Sequence, residues 1–113
     1  MLEFSQESRD GVVVLKVKGR LDAVAAPELR PTIDKLVEER QKFVVFELSE
    51  LQMIDSSGVG AIVSLFKRLR MQQGDVKIAQ LTGQPKEIFR LLRLDRAFDL
   101  YESLDEAVAK FKK

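Results

Sequence analysis

The sequence contains no cysteine, no histidine and no tryptophan. Without cysteine there is no disulfide, no thiolate nucleophile and no zinc site of the usual nitrogen–sulfur kind. Without histidine there is no Ser-His-Asp triad, no Cys-His dyad and no imidazole ligand for a metal. Any catalysis would fall to carboxylates, lysines, hydroxyls and the single Tyr101. Charge of one sign is lacking too: 19 basic residues face 18 acidic ones, for a net charge of +1. Residues 1–50 carry 8 basic and 10 acidic groups and residues 51–113 carry 11 and 8. That asymmetry is too mild to draw nucleic acid or a membrane surface. The most basic clusters, Lys67-Arg68-Leu69-Arg70 and Arg90, Arg93 and Arg96, read as solvated helix faces. The longest uncharged stretch, Ser56–Phe66, is too short and too polar to span a bilayer. Met1-Leu2-Glu3 has neither the basic start nor the apolar run of a signal peptide. The absences point to one soluble, cytoplasmic domain over residues 1–113. It is expected to work by binding and not as an enzyme, with no cofactor and no metal.

What is present is a regular alternation of elements. The segments Leu2–Ser8 and Val12–Lys18 flank Asp10-Gly11, a strong hairpin signal because such turns need positive φ. Val13, Leu15 and Val17 share one strand face while Lys16 and Lys18 point the other way. Gly19-Arg20-Leu21-Asp22 is expected to break that strand. Leu29, Ile33, Leu36, Val37 and Arg40 then fall at helical spacing. Pro31 conflicts with a helix already running from Pro27, so either the regular helix starts near Leu29–Pro31 or its first turn is distorted. Phe43–Leu48 lacks polar positions and reads as a strand buried on both faces. After a short loop, Val59, Ile62, Val63, Phe66 and Leu69 mark a helix that Gly74 is expected to stop. Val76–Leu81 reads as another central strand. Pro85 is expected to open a helix with Ile88, Leu91 and Leu92 on its apolar stripe. A short strand near Phe98–Tyr101 precedes a last helix, capped by the box Ser103-Leu104-Asp105-Glu106 and buried through Leu104, Ala107, Val108 and Phe111. Lys110, Lys112 and Lys113 suit the C-terminal end of its dipole. Met53 and Met71 read as core fillers. The order ββαβαβαβα predicts an α/β fold: one mixed sheet, an N-terminal hairpin followed by βα units, covered by about four helices.

Chemistry concentrates at Asp55-Ser56-Ser57-Gly58-Val59-Gly60, where a buried strand gives way to an amphipathic helix. Small residues there allow close approach, and the uncapped amides of a helix start favour negative charge. Three readings follow from the residues. Asp55 or Ser56 could be only an N-cap, with the glycines there for packing, and residues alone favour this. A nucleotide site is weaker, because a third glycine and a Gly-Lys-Ser/Thr run are both missing. A serine hydrolase is weaker still, lacking Gly-x-Ser-x-Gly and any histidine.

The run Phe46-Glu47-Leu48-Ser49-Glu50-Leu51-Gln52-Met53-Ile54-Asp55-Ser56-Ser57-Gly58-Val59-Gly60 closely resembles the signature of STAS domains of the bacterial anti-sigma factor antagonist type. The resemblance extends to Lys18-Gly19-Arg20-Leu21-Asp22 and Ala26-Pro27-Glu28-Leu29. It continues through Leu81-Thr82, Phe89, Leu91-Leu92, Leu94 and Phe98, so it covers nearly the whole chain. It departs where the family's third strand often ends Asp-Leu-Ser, since here Glu47-Leu48-Ser49 stands. The resemblance implies a partner switch. The unphosphorylated protein would bind a serine kinase anti-sigma factor and free the sigma factor, phosphorylation would release it, and a serine phosphatase would reset it. By position the phospho-acceptor would be Ser56, with Ser57 as second choice. Asp22, Asp55, Ser56, Ser57 and Gly58 would form the partner-binding surface, with Ser64 and Lys67 as further candidates on the following helix. Weak self-association would be compatible with this picture, and direct nucleic-acid binding is not implied. The alternative is a non-phosphorylated STAS accessory subunit of a transporter or signalling complex.

Overall fold

The computed structural model describes residues 2–111. In chain order the elements are β1 (Leu2–Arg9), β2 (Val12–Leu21), α1 (Ala26–Glu38), β3 (Phe43–Glu47), β4 (Leu51–Ile54), α2 (Ser56–Arg70), β5 (Asp75–Ala79), α3 (Gly83–Leu91), α4 (Leu94–Ala97), β6 (Asp99–Tyr101) and α5 (Leu104–Ala109). Asp10 and Gly11 both have positive φ, 54° and 82°, and their turn places Arg9 opposite Val12 in an antiparallel β1–β2 pair. Turns of this mirror-image kind match the twist of the flanking strands. All other pairings are parallel, in the order β1-β2-β3-β5-β6, with β4 pairing to the end of β2.

Alternation along the strands sorts the core into two layers. Val13, Leu15, Val17, Val44, Phe46, Val76 and Ile78 pack with Leu29, Ile33, Ile62, Leu65, Leu69 and Phe89 of α1, α2 and α3. On the opposite face Val12, Val14, Val45 and Ala79 pack with Ala107 and Val108 of α5. β3 is buried on both faces, as its missing polar positions predict. Its one charged residue, Glu47, accepts from the Ser49 amide at 2.7 Å and lies 3.6 Å from Lys16 Nζ. Phe98 closes the larger layer, its ring 4.5 Å from Phe66 and 5.8 Å from Phe89.

The mixed α/β sheet is as predicted, but two short elements join the expected order and several local expectations are corrected. The short loop expected between Leu48 and Ile54 instead holds most of β4, Leu51–Ile54. This strand pairs with β2 because β2 does not break at Gly19: it continues to Leu21 after an irregularity between Gly19 and Arg20. Helix α1 begins at Ala26 and carries Pro31 inside it. Pro31 is exposed on the solvent side of the helix, where the lost backbone bond is cheapest because water can solvate the freed carbonyl. Arg40 lies beyond α1 in the left-handed region (φ 57°), and the amides of Arg40 and Gln41 return to Val37 and Leu36. That is a Schellman closure built on arginine. The stop of α2 has the same form with Gln73 left-handed at φ 67° and Gly74 one residue later. Gly74 is there for another reason, since a Cβ would sit 2.2 Å from the Lys42 carbonyl oxygen. Helix α3 starts at Gly83, before Pro85, and buries Pro85 and Phe89, while Leu91 and Leu92 face solvent. Met71 is also a surface residue, at 85% exposure, because it follows the last turn of α2 and has left the buried stripe. The Ser103 arm of the capping box is formed, its Oγ accepting from the Glu106 amide at 3.1 Å. Lys112 and Lys113 lie outside the described residues.

Candidate functional site

The end of β4 and the end of β2 lie side by side, with Leu21 in register with Ile54. This brings the loop after β2 against the start of α2. Asp55 is the N-cap of α2: its Oδ1 accepts from the Ser57 and Gly58 amides at 2.9 and 3.1 Å. A side-chain cap of this kind is worth about 1 kcal/mol. Its other oxygen, Oδ2, reaches across and accepts from the Ala23 amide at 3.0 Å. One carboxylate therefore ties the helix start to the neighbouring loop. Asp22 orders the same loop from the other side, its Oδ1 accepting from Val24 and Ala25 at 3.2 and 3.0 Å. Its backbone carbonyl accepts from Ala25 and Ala26. All four amides of residues 23–26 are thus satisfied by two aspartates.

Gly58 is buried, and a Cβ there would meet the Leu21 carbonyl oxygen at 2.2 Å and Ile54 Cγ1 at 2.7 Å. The glycine lets α2 start directly on the strand ends. Gly60 is different: nothing lies within 4 Å of a Cβ built on it. Ser56 and Ser57, the first two helical residues, are both exposed. Beside them a groove of about 410 Å³ runs between α1 and α2, lined by Ala23, Pro27, Arg30, Ser57, Gly60 and Ser64 among others. Val24 projects into solvent at 81% exposure from the loop that the two aspartates hold.

Of the predicted site residues, Asp22, Asp55, Ser56, Ser57 and Gly58 are brought together at one end of the sheet. Ser64 joins them only as part of the groove wall. Lys67, eleven residues along α2 from Ser56, is about 16 Å away at ~1.5 Å per residue and stays apart from the cluster. Ala23 and Val24 were not anticipated, although an aspartate followed by two free amides is a recognisable turn signal. Gln84 was not anticipated either. Its side-chain amide bonds both backbone groups of Ile54, at 2.9 and 3.0 Å, across a separation of 30 residues. Among the described residues, no group of three or more acidic side chains is arranged to hold a metal ion, and no helix is long and apolar enough to cross a membrane.

The fold and site define a small α/β module with a capped, solvent-facing serine pair where a helix meets its sheet. The STAS domain family matches residues 3–107, and the chain belongs to that family. The anti-sigma F factor antagonist of Paenibacillus polymyxa is 27% identical over 108 residues, covering 95% of this chain and 90% of that protein. The crystal structure of an anti-sigma factor antagonist from Mycobacterium paratuberculosis superposes with a TM-score of 0.91 at 26% identity, over 100% of this chain and 96% of the other. The Bacillus cell fate determinant SpoIIAA in its phosphorylated form shares the fold, with a TM-score of 0.74 at 20% identity over 97% of this chain and 100% of its own. The relatives are thus anti-sigma factor antagonists from several bacteria, and their fold is the one described above.

Proposed function

We propose that this protein is an anti-sigma factor antagonist that works as a phosphorylation-controlled partner switch. Unphosphorylated, it binds a serine kinase anti-sigma factor in the cytoplasm and frees the sigma factor. Phosphorylation of Ser56 releases it, and a serine phosphatase resets it. The observation that carries this reading is the exposed Ser56 hydroxyl on the first turn of α2, beside a carboxylate whose two oxygens already accept three amides. Asp55 is occupied on both oxygens, and Asp22 on Oδ1 with Arg20 beside Oδ2, so on this reading the base that deprotonates the hydroxyl comes from the kinase. A serine so placed suits a substrate better than a nucleophile. The names of the relatives agree with this role, and a phosphorylated form is known for the fold neighbour SpoIIAA.

The energetics put the switch at the interface. A phosphoryl group adds about −1.5 to −2 charges and three acceptor oxygens. At an exposed helix N-terminus that charge is favourable by roughly 0.3–1 kcal/mol, and repulsion from Asp55 opposes it. The two effects are of similar size, and the Asp55 and Asp22 hydrogen bonds brace the surrounding backbone, so the free protein keeps its fold. In a complex, however, a dianion beside an aspartate must lose water, and burying unpaired charge commonly costs several kcal/mol. About 1.4 kcal/mol already changes affinity tenfold. The proposed contact surface comprises Asp22, Asp55, Ser56, Ser57 and Ser64, with exposed Val24 as an apolar anchor; buried Gly58 shapes the turn from beneath, and Lys67 lies outside the surface.

Incubation with a serine kinase anti-sigma factor and ATP should add one phosphoryl group, mapped to Ser56 by mass spectrometry, and dissociate the complex. Ser56→Ala should bind that kinase and resist both modification and release. Undiminished modification of Ser56→Ala would move the acceptor to Ser57, and a wild-type chain that binds without modification would favour the accessory-subunit role.

A further inference from the structure

Strand β4 is four residues long and has a partner on one edge only. That partner is β2; β3 takes the earlier half of β2 and does not reach β4. Among the described residues, the other edge of β4 therefore has no strand. At its last residue, Ile54, both backbone groups point to that open side and are buried, since Ile54 is 1% exposed. Buried backbone groups without partners are rare because each is costly. Here both are met by one side chain: Gln84 Oε1 accepts from the Ile54 N–H at 2.9 Å, and Gln84 Nε2 donates to the Ile54 carbonyl at 3.0 Å. A carboxamide has the same donor–acceptor pair as a peptide group, so Gln84 acts as a one-residue strand. It is itself held, because it sits in the first turn of α3 next to buried Pro85 and five residues before the fully buried Phe89.

We propose that Gln84 is a positioning residue for Ser56. Ile54 is followed directly by Asp55, which caps α2 and ties down the Ala23 loop. The clamp fixes the last strand residue before that cap, so α3 and the serine turn move as one body. Releasing it frees the cap to drift by the fraction of an ångström that phosphoryl transfer does not tolerate. The proposal rests on the reading of Ser56 as phospho-acceptor given above.

The test compares three variants of the full chain with an anti-sigma factor kinase that modifies the wild type. Gln84→Met keeps the length and bulk of the side chain but neither hydrogen bond. Gln84→Glu keeps the acceptor and turns an anionic oxygen towards the Ile54 carbonyl. Ser103→Ala removes the cap of α5, remote from the site, and serves as a destabilised control. The expected result is a fall of about tenfold in kcat for Ser56 phosphorylation in both Gln84 variants with KM little changed, and wild-type kcat in Ser103→Ala. Amide exchange of Ser57 and Gly58 should quicken about tenfold in the Gln84 variants, while the Val24 and Ala25 amides, held by Asp22, keep their protection. Wild-type kcat in Gln84→Met, an equal loss in Ser103→Ala, or unchanged Ser57 and Gly58 exchange would each overturn the proposal while leaving Ser56 as acceptor. Failure of any such kinase to modify wild-type Ser56 would overturn the functional reading and the positioning role with it.

Discussion

Two glycines two residues apart in α2 should respond to alanine with opposite signs. In an exposed helix interior, Gly→Ala is stabilising by roughly 0.5–1 kcal/mol because alanine loses less backbone entropy. Gly60 meets that condition: it is exposed, and a Cβ there has nothing within 4 Å. Gly58 does not. Its added Cβ would stand 2.2 Å from the Leu21 carbonyl oxygen, 2.7 Å from Ile54 Cγ1 and 2.9 Å from Leu21 Cγ. The first contact is with backbone, which has no rotamer to escape into. A close C···O contact is normally about 3.3 Å, so the first turn of α2 must retreat by about 1 Å. That displacement stretches the 3.1 Å bond from the Gly58 amide to Asp55 beyond hydrogen-bonding range. Overpacking costs about 1–3 kcal/mol and a lost N-cap about 1 kcal/mol. Against these stands the gain of up to ~1 kcal/mol that alanine brings to any helix.

The net expectation is a Gly58→Ala protein destabilised by about 2 kcal/mol, with Tm lowered by roughly 8 °C at ~4 °C per kcal/mol for a domain of this size. Gly60→Ala should raise Tm by about 2–4 °C. Thermal and urea unfolding followed by circular dichroism give both numbers, and an unchanged urea m-value would confirm that the native state keeps its compactness. A Gly58→Ala protein as stable as wild type, or two alanines with effects of the same sign, would refute the close-packing account of the helix start.

Three further outcomes follow from the same structure. Ser56→Asp should leave Tm within about 2 °C of wild type, since the added charge meets a favourable helix end and an unfavourable Asp55 of similar strength; calorimetric titration with the kinase anti-sigma factor should nevertheless show at least about tenfold weaker binding. Lys77 is buried against the Phe111 ring at 4.7 Å, paired with the mostly exposed Asp99 at 2.9 Å and 3.9 Å from Asp75; Lys77→Met removes the buried charge and leaves Asp99 to water and Asp75 to its other partner Arg70, so it should be neutral or stabilising by urea unfolding. Lys16 has its pKa raised above the ordinary 10.5 by its hydrogen bond to Glu50 and by the charges of Glu47 and Glu50. That pairing therefore favours the fold at pH below 10.5 and fades as the pH climbs through the raised folded-state value. The stability gap between wild type and Lys16→Met should be constant near neutrality and close in strongly alkaline buffer.

What the sequence made legible was local or periodic. Asp10-Gly11 announced its turn because the required φ values single out those residues. The two-faced burial of Phe43–Glu47 followed from the absence of any polar alternation. The serine turn was legible from its residues alone only as a helix cap, which Asp55 forms; the family resemblance, not the residue pattern, singled out Ser56. The misreadings arose where an element ended sooner than its spacing implied or where a contact distant in sequence outweighed a local rule. Leu91 and Leu92 fit an apolar stripe by spacing, yet α3 is seated by Pro85 and Phe89 and ends at once in left-handed Arg93. Gly74 looked like a helix stop, but the Lys42 backbone is what excludes a side chain there. Pairing of β4 with β2 depends on an irregularity at Gly19 more than 30 residues upstream, and no pattern within Leu51–Ile54 encodes it.

The missing histidine and cysteine gain meaning from how the carboxylates at the site are used. A serine that attacks a substrate needs a base with a free lone pair aimed at its hydroxyl. Asp55 has three amides on its two oxygens, and Asp22 has two amides on Oδ1 with Arg20 at 3.9 Å from Oδ2. These groups hold backbone in place and are poorly placed to accept the serine proton. Converting Asp55 into a base would compete with the contacts that tie the Ala23 loop to the start of α2. For the proposed switch the same rigidity is an advantage, because an ordered, exposed serine would meet the kinase without first paying an ordering cost. A chain that lacks an activating side chain and devotes its aspartates to architecture suits the proposed switch, in which Ser56 is presented while another protein supplies the base and the phosphoryl donor.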